Sequence, residues 1–93
     1  SLGKGVAMKV SLDVFSRTVG EEEVLRDMKS GDYFGLNPSA TLIWQGLKSG
    51  RTPTEIVEDL VAQFEITHLQ ARQDIQELVT QLNAAGLLSN EEN

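Results

Sequence analysis

The chain has 93 residues, 40% of them hydrophobic, which is enough for one small domain with one modest core. It has no cysteine, which excludes a disulfide scaffold and any thiolate metal site, and suits a reducing, cytoplasmic setting. The net charge of −6 is uneven: residues 1–51 carry +1 and residues 52–93 carry −7, with Arg72 the lone basic residue of the second part. No apolar run approaches the roughly 20 residues that span a bilayer, so no membrane association is expected.

Residues 1–9 precede the first patterned segment and are read as a disordered or artificially appended stretch. From Val10 to Thr18 the run VSLDVFSRT is rich in β-branched and apolar residues and predicts a strand. The following VGEEE reads as a turn, with Glu21, Glu22 and Glu23 solvated at its tip. Val24–Met28 is a second strand, and Lys29-Ser30-Gly31-Asp32 supplies turn chemistry, with Gly31 free to take positive φ. Tyr33–Leu36 is the third. Tyr33 and Phe34 point to opposite faces, so one of them belongs to the core.

After Asn37 the apolar period changes from 2 to 3.6. Asn37 is a good N-cap and Pro38 suits the first helical position. Ala40, Ile43, Trp44 and Leu47 form one face, Trp44 packs under the sheet, and Gly50 stops the helix. Thr52-Pro53-Thr54-Glu55 is a capping box that opens a second helix with Ile56, Val57, Leu60, Val61 and Phe64 on one stripe. Thr67-His68-Leu69-Gln70 reads as another capping box, opening a third helix to about Ala85. Gly86 ends it, Leu87-Leu88 return to the core, and residues 89–93 read as a disordered acidic tail. The expected fold is α+β and winged-helix-like: an N-terminal three-stranded antiparallel sheet followed by three helices, βββααα, over residues 10–88.

Catalytic chemistry is hard to find. A hydrolase or transferase needs a nucleophile, a base and a group that orients the base. The chain has one histidine, His68, placed just inside a helix as a solvated or capping residue. Its carboxylates are scattered, and it has no glycine-rich phosphate loop. No catalytic residue, metal ligand or cofactor site is therefore assigned, and the chain is not read as an enzyme. A helix-turn-helix spacing invites a DNA-binding regulator as an alternative. Its recognition helix would offer Arg72 alone beside Asp74 and Glu77, a charge balance that repels phosphates, so no nucleic-acid partner is expected.

The third strand is the more informative feature. It has no lysine or proline to protect it, and Gly35 allows another backbone to approach closely. An extended peptide could add to that edge. The third helix offers a wall for its side chains: Leu69, Arg72, Gln76 and Val79 flank the core stripe, about 40° to 120° round from Ile75. Each of these also has a structural explanation. Val79 could be core margin, Leu69 could pack on the turn after the second helix, and Arg72 could pair with Asp74 or Gln76. A subunit that dimerises through the same edge is a third possibility, and the oligomeric state is left as monomer or weak dimer.

One combination is specific as a set. Gly31, Tyr33, Leu36-Asn37-Pro38, Ala40 and Ile43-Trp44, followed by Gly50-Arg51-Thr52, Glu55-Ile56-Val57 and Ala84-Ala85-Gly86-Leu87-Leu88, resemble the PqqD family of leader-recognition domains over about residues 12–88. The resemblance implies a winged-helix-like, non-catalytic module that binds the leader segment of a ribosomally made precursor peptide. Such modules present it to a modifying enzyme: a radical S-adenosylmethionine enzyme in quinone-cofactor synthesis, or a leader peptidase and cyclase in lasso-peptide synthesis. It also implies a leader paired with the third strand, at Tyr33, Phe34, Gly35 and Leu36, and lying against the third helix at Leu69, Arg72, Gln73, Gln76 and Val79. Aromatic-Gly-Leu-Asn-Pro after the turn is slightly nearer the lasso-type proteins, and the pathway stays open between the two.

Overall fold

The computed structural model describes the backbone of residues 7–10 and 14–91. In chain order the elements are β1 (Ala7–Val10), β2 (Val14–Val19), β3 (Glu22–Asp27), β4 (Tyr33–Leu36), α1 (Pro38–Lys48), α2 (Pro53–Phe64), α3 (His68–Ala84) and β5 (Leu88–Glu91). The expected three-stranded antiparallel sheet is present with order β2-β3-β4, and three helices follow it. A second, two-stranded sheet pairs β1 with β5.

That second sheet departs from the sequence reading. The sequence pattern leaves residues 7–9 outside the domain, but with Val10 they form β1, which runs antiparallel to Leu88–Glu91. Residues 89–91, assigned to a disordered tail, complete β5. Val10 ends β1 rather than starting the strand that leads into Phe15. Residues 1–6, 11–13 and 92–93 lie outside the described residues.

The first hairpin is tighter than expected. Gly20 and Glu21 form the whole turn, with Gly20 at φ +65° and Val19 paired to Glu22. Glu22 and Glu23 therefore belong to β3 and not to a solvated tip. Glu23 is 3% exposed. Its carboxylate accepts from Gln45 Nε2 at 3.1 Å, the partner that a buried acidic group requires. Met28, expected to end β3, stands in the next turn. There Asp27 Oδ1 accepts from the Lys29 amide at 3.0 Å, and Gly31 sits at φ +82°.

The helix boundaries follow the cap chemistry. Asn37 Oδ1 accepts from the Ala40 amide at 2.8 Å. Thr52 and Glu55 form the reciprocal capping box, at 3.1 and 2.9 Å. Only half of the third expected box forms: Thr67 Oγ1 accepts from the Gln70 amide at 3.0 Å, while the Gln70 side chain donates forward to Asp74 Oδ1 at 2.8 Å. Gly86, at φ +79°, ends α3, and the Leu87 amide closes back onto the Leu82 carbonyl at 2.9 Å. That closure folds Leu87 and Leu88 into the core, beside Leu82. α2 ends differently, with Glu65 in the left-handed region at φ 55°.

The core joins both layers. Leu25 and Leu36 from the sheet meet Ile43 and Trp44 of α1, Ile56 and Leu60 of α2, and Ile75, Leu78 and Leu82 of α3. Gly46 lets α1 and α2 approach closely: a Cβ there would stand 2.8 Å from Cγ1 of buried Ile56. Burial of each large apolar side chain in this cluster contributes roughly 1.5–3 kcal/mol.

Candidate peptide-binding edge

β4 pairs with β3 on one side only, in the register Glu23↔Leu36, Val24↔Gly35, Leu25↔Phe34 and Arg26↔Tyr33. The other side of β4 pairs with no strand among the described residues. In an antiparallel strand a residue's N–H and C=O point the same way, and the direction alternates along the chain. Two contacts fix the phase. The Asp27 amide donates to the Asp32 carbonyl at 2.9 Å, so residue 32 faces β3. The Leu36 carbonyl accepts from Thr41 Oγ1 at 3.2 Å, and that hydroxyl in turn accepts from the Glu23 amide at 3.1 Å. Leu36 therefore also faces β3, with the Thr41 hydroxyl bridging the end of the ladder. Residues 32, 34 and 36 point inward along the sheet. Tyr33 and Gly35 turn both N–H and C=O to the open edge.

The side chains alternate independently across the two faces. Leu36 is buried and Phe34 packs against the core, which answers which of the two aromatic residues is internal. Tyr33 lies on the outer face, with the Arg26 guanidinium 5.2 Å from its ring centroid. Gly35 leaves that face bare, since a Cβ there would meet nothing within 4 Å.

The residues expected on α3 separate from this strand. Arg72, Gln76 and Val79 line a cavity of about 460 Å³ together with Leu47 of α1 and with α2 residues including Pro53 and Val57. Leu69 is 61% exposed, and Gln73 is exposed beside Gln76 and Thr80. Arg72 has no ion pair among the described residues, and Val79 is partly buried against the core. The α3 flank that shares a cavity with the exit of β4 is the opposite one. Asp74, Glu77, Leu78 and Gln81 line about 300 Å³ with Asn37, Ser39, Ala40 and Ile43. The sequence reading singles out none of these α3 residues. The short link from β4 into α1 through Asn37 was the available signal, because it ties the start of α1 to the strand.

His68 is exposed, with Nε2 3.1 Å from Glu58 Oε2. Among the described residues no group of three or more His, Asp or Glu side chains is placed to hold a metal ion, and no helix is long and apolar enough to cross a membrane.

A family model for coenzyme PQQ synthesis protein D (PqqD) matches residues 22–88, from the first residue of β3 to the first residue of β5. The chain belongs to the PqqD family. Two solved structures resemble this PqqD-family chain over most of its length. TbiB1 in complex with the TbiA(beta) leader peptide is 29% identical, with a TM-score of 0.82 over 91% of this chain and 99% of that one. Lasso peptide synthetase B1 complexed with the leader peptide is 30% identical, with a TM-score of 0.82 over 89% of this chain and 98% of that one. No curated protein matches the chain.

Proposed function

We propose that this PqqD-family chain is a non-catalytic recognition module, which captures the leader segment of a ribosomally made precursor peptide as an added strand on β4 and holds it for a modifying enzyme. The observation that carries the reading is the orientation of Tyr33 and Gly35, whose backbone groups turn away from β3 with no strand among the described residues to receive them. The two similar structures, both leader-peptide complexes, support it, and the one of a lasso peptide synthetase B1 favours a leader peptidase and cyclase over a radical enzyme as the downstream partner. We place the chain in the cytoplasm, where such precursors are made; its lack of cysteine fits that setting.

The energetics suit a module rather than a permanent subunit. Four open backbone groups contribute roughly 0.5–1.5 kcal/mol each when paired. Micromolar affinity needs about −8 kcal/mol, so one or two buried leader side chains must supply the rest. Those side chains enter the cavity at the strand's exit, between Ala40 and Ile43 on α1 and Leu78 and Gln81 on α3. Asp74 and Glu77 beside them favour a leader residue that carries a donor or a positive charge.

The test is fluorescence anisotropy with a labelled leader from the precursor encoded beside this chain. Saturation in the micromolar range is expected. A flat signal up to about 50 µM protein, corresponding to less than about 6 kcal/mol of binding, would remove the reading.

A further inference from the structure

Among the described residues two polar side chains are buried, Glu23 at 3% and Thr41 at 6% exposure, and the two residues bond to each other. The Glu23 amide donates to Thr41 Oγ1 at 3.1 Å, and that hydroxyl donates to the Leu36 carbonyl at 3.2 Å. Gln45, one turn after Thr41 on the same side of α1, donates from Nε2 to the Glu23 carboxylate at 3.1 Å. α1 thus grips one residue of β3 twice, by its backbone and by its side chain. The adjacent acids, Glu21 and Glu22, stay exposed.

The place of this network in the chain gives it a consequence for binding. Glu23 lies opposite Leu36, the last residue of β4. Only Asn37 separates Leu36 from the first residue of α1, and the Asn37 carbonyl accepts from the Thr41 amide at 2.8 Å. The exit of the strand and the start of the helix therefore form one corner, and Glu23 holds both of its arms. An added strand would use other surfaces of that corner. Its backbone partners, Tyr33 and Gly35, turn away from β3, and its side-chain cavity is lined by Ala40 and Ile43. Thr41 and Gln45 line a separate hollow, with Gly20 and Glu21 of the first hairpin turn. A loss of leader affinity on changing these two side chains would therefore not come from a lost contact with the leader.

We propose that Glu23, Thr41 and Gln45 are positioning residues for peptide capture, an inference that rests on the recognition-module reading. They fix the separation and angle between the open edge of β4 and the cavity beside α1, so that an added strand meets its backbone partners and its side-chain cavity together. Burial makes the arrangement discrete: a hydroxyl or carboxylate deprived of its partner is costly there, which leaves the corner one favoured geometry. Without the network the corner spends only part of its time in that geometry, and the apparent affinity falls in proportion to that fraction.

The experiment measures the affinity of the labelled leader from the precursor encoded beside this chain, at a temperature where unfolding curves show every variant folded. Thr41→Val, and separately Gln45→Leu at an exposed position, should each weaken binding by about tenfold. Thr41→Ser keeps the hydroxyl and should bind within about twofold of the parent. Thr52→Ala is the control. It removes the cap of α2 and lowers stability without touching the corner, so its affinity should also stay within about twofold. Parent-like binding by both Thr41→Val and Gln45→Leu would overturn the proposal. So would an equal loss in Thr52→Ala, because general stability would then explain the effect. A parent that does not bind the leader would overturn the recognition-module reading, and this inference with it.

Discussion

The two flanks of α3 are the same helix seen from opposite sides, yet they serve different neighbours. One, with Arg72, Gln76 and Val79, closes a largely apolar cavity against α2 and the end of α1. The other, with Asp74, Glu77 and Gln81, opens a polar and acidic groove toward the residues that follow β4. A helical repeat assigns the core stripe, but it treats the margins on either side of that stripe as equivalent. Only the path of the chain, from β4 through Asn37 directly into α1, decides which margin lies nearer the open edge. A wall for an added strand is thus a property of topology more than of helix composition.

The contrast can be broken outright by removing the shared support. Trp44 is 1% exposed in the core that α3 packs against, so Trp44→Ala should cost ~3–5 kcal/mol and disorganise both flanks; thermal or denaturant unfolding will show it. Next in size is Gly35→Pro. It deletes an N–H that faces the open edge and leaves the β3–β4 ladder intact, so leader binding should fall by about a hundredfold or more with the far-ultraviolet circular dichroism unchanged. Thr41→Val removes the hydroxyl that bridges the Glu23 amide and the Leu36 carbonyl, and should cost about 1–3 kcal/mol in stability.

The smallest effects are the sharpest, because they compare flank with flank. Gln81→Ala and Asp74→Ala should weaken leader binding by about tenfold, whereas Arg72→Ala and Gln76→Ala should change it by less than about twofold. The reverse ranking in an anisotropy series would return the leader to the flank that sequence reasoning first selected.

Much of the fold was legible in the residues because local chemistry dictates it. Asn37-Pro38, Thr52-Pro53 and Thr67 fix three helix starts, and Gly50 and Gly86 fix two helix ends. β4 was legible for the same reason, bounded by the Gly31 turn and the Asn37 cap. What escaped depends on contacts remote in sequence. β1 and β5 are four residues each and exist by pairing opposite ends of the domain, which no local pattern announces. Glu23 looked like one of three solvated acids until Gln45, on a different element, was brought beside its carboxylate. The half-formed cap at Thr67 has a similar cause, since the Gln70 amide group prefers Asp74 one turn on. For the candidate site, the strand was readable and its open edge inferable, while the cavity that α3 shares with the start of α1 was not.

Backbone amide exchange at single-residue resolution goes most directly to the central claim that β4 offers Tyr33 and Gly35 to an incoming strand. In the free chain those two amides should exchange quickly while Phe34 and Leu36 are protected, and saturating leader peptide should protect Tyr33 and Gly35 as well. Protection of Tyr33 and Gly35 before any peptide is added, or exchange there that leader peptide leaves untouched, would contradict it.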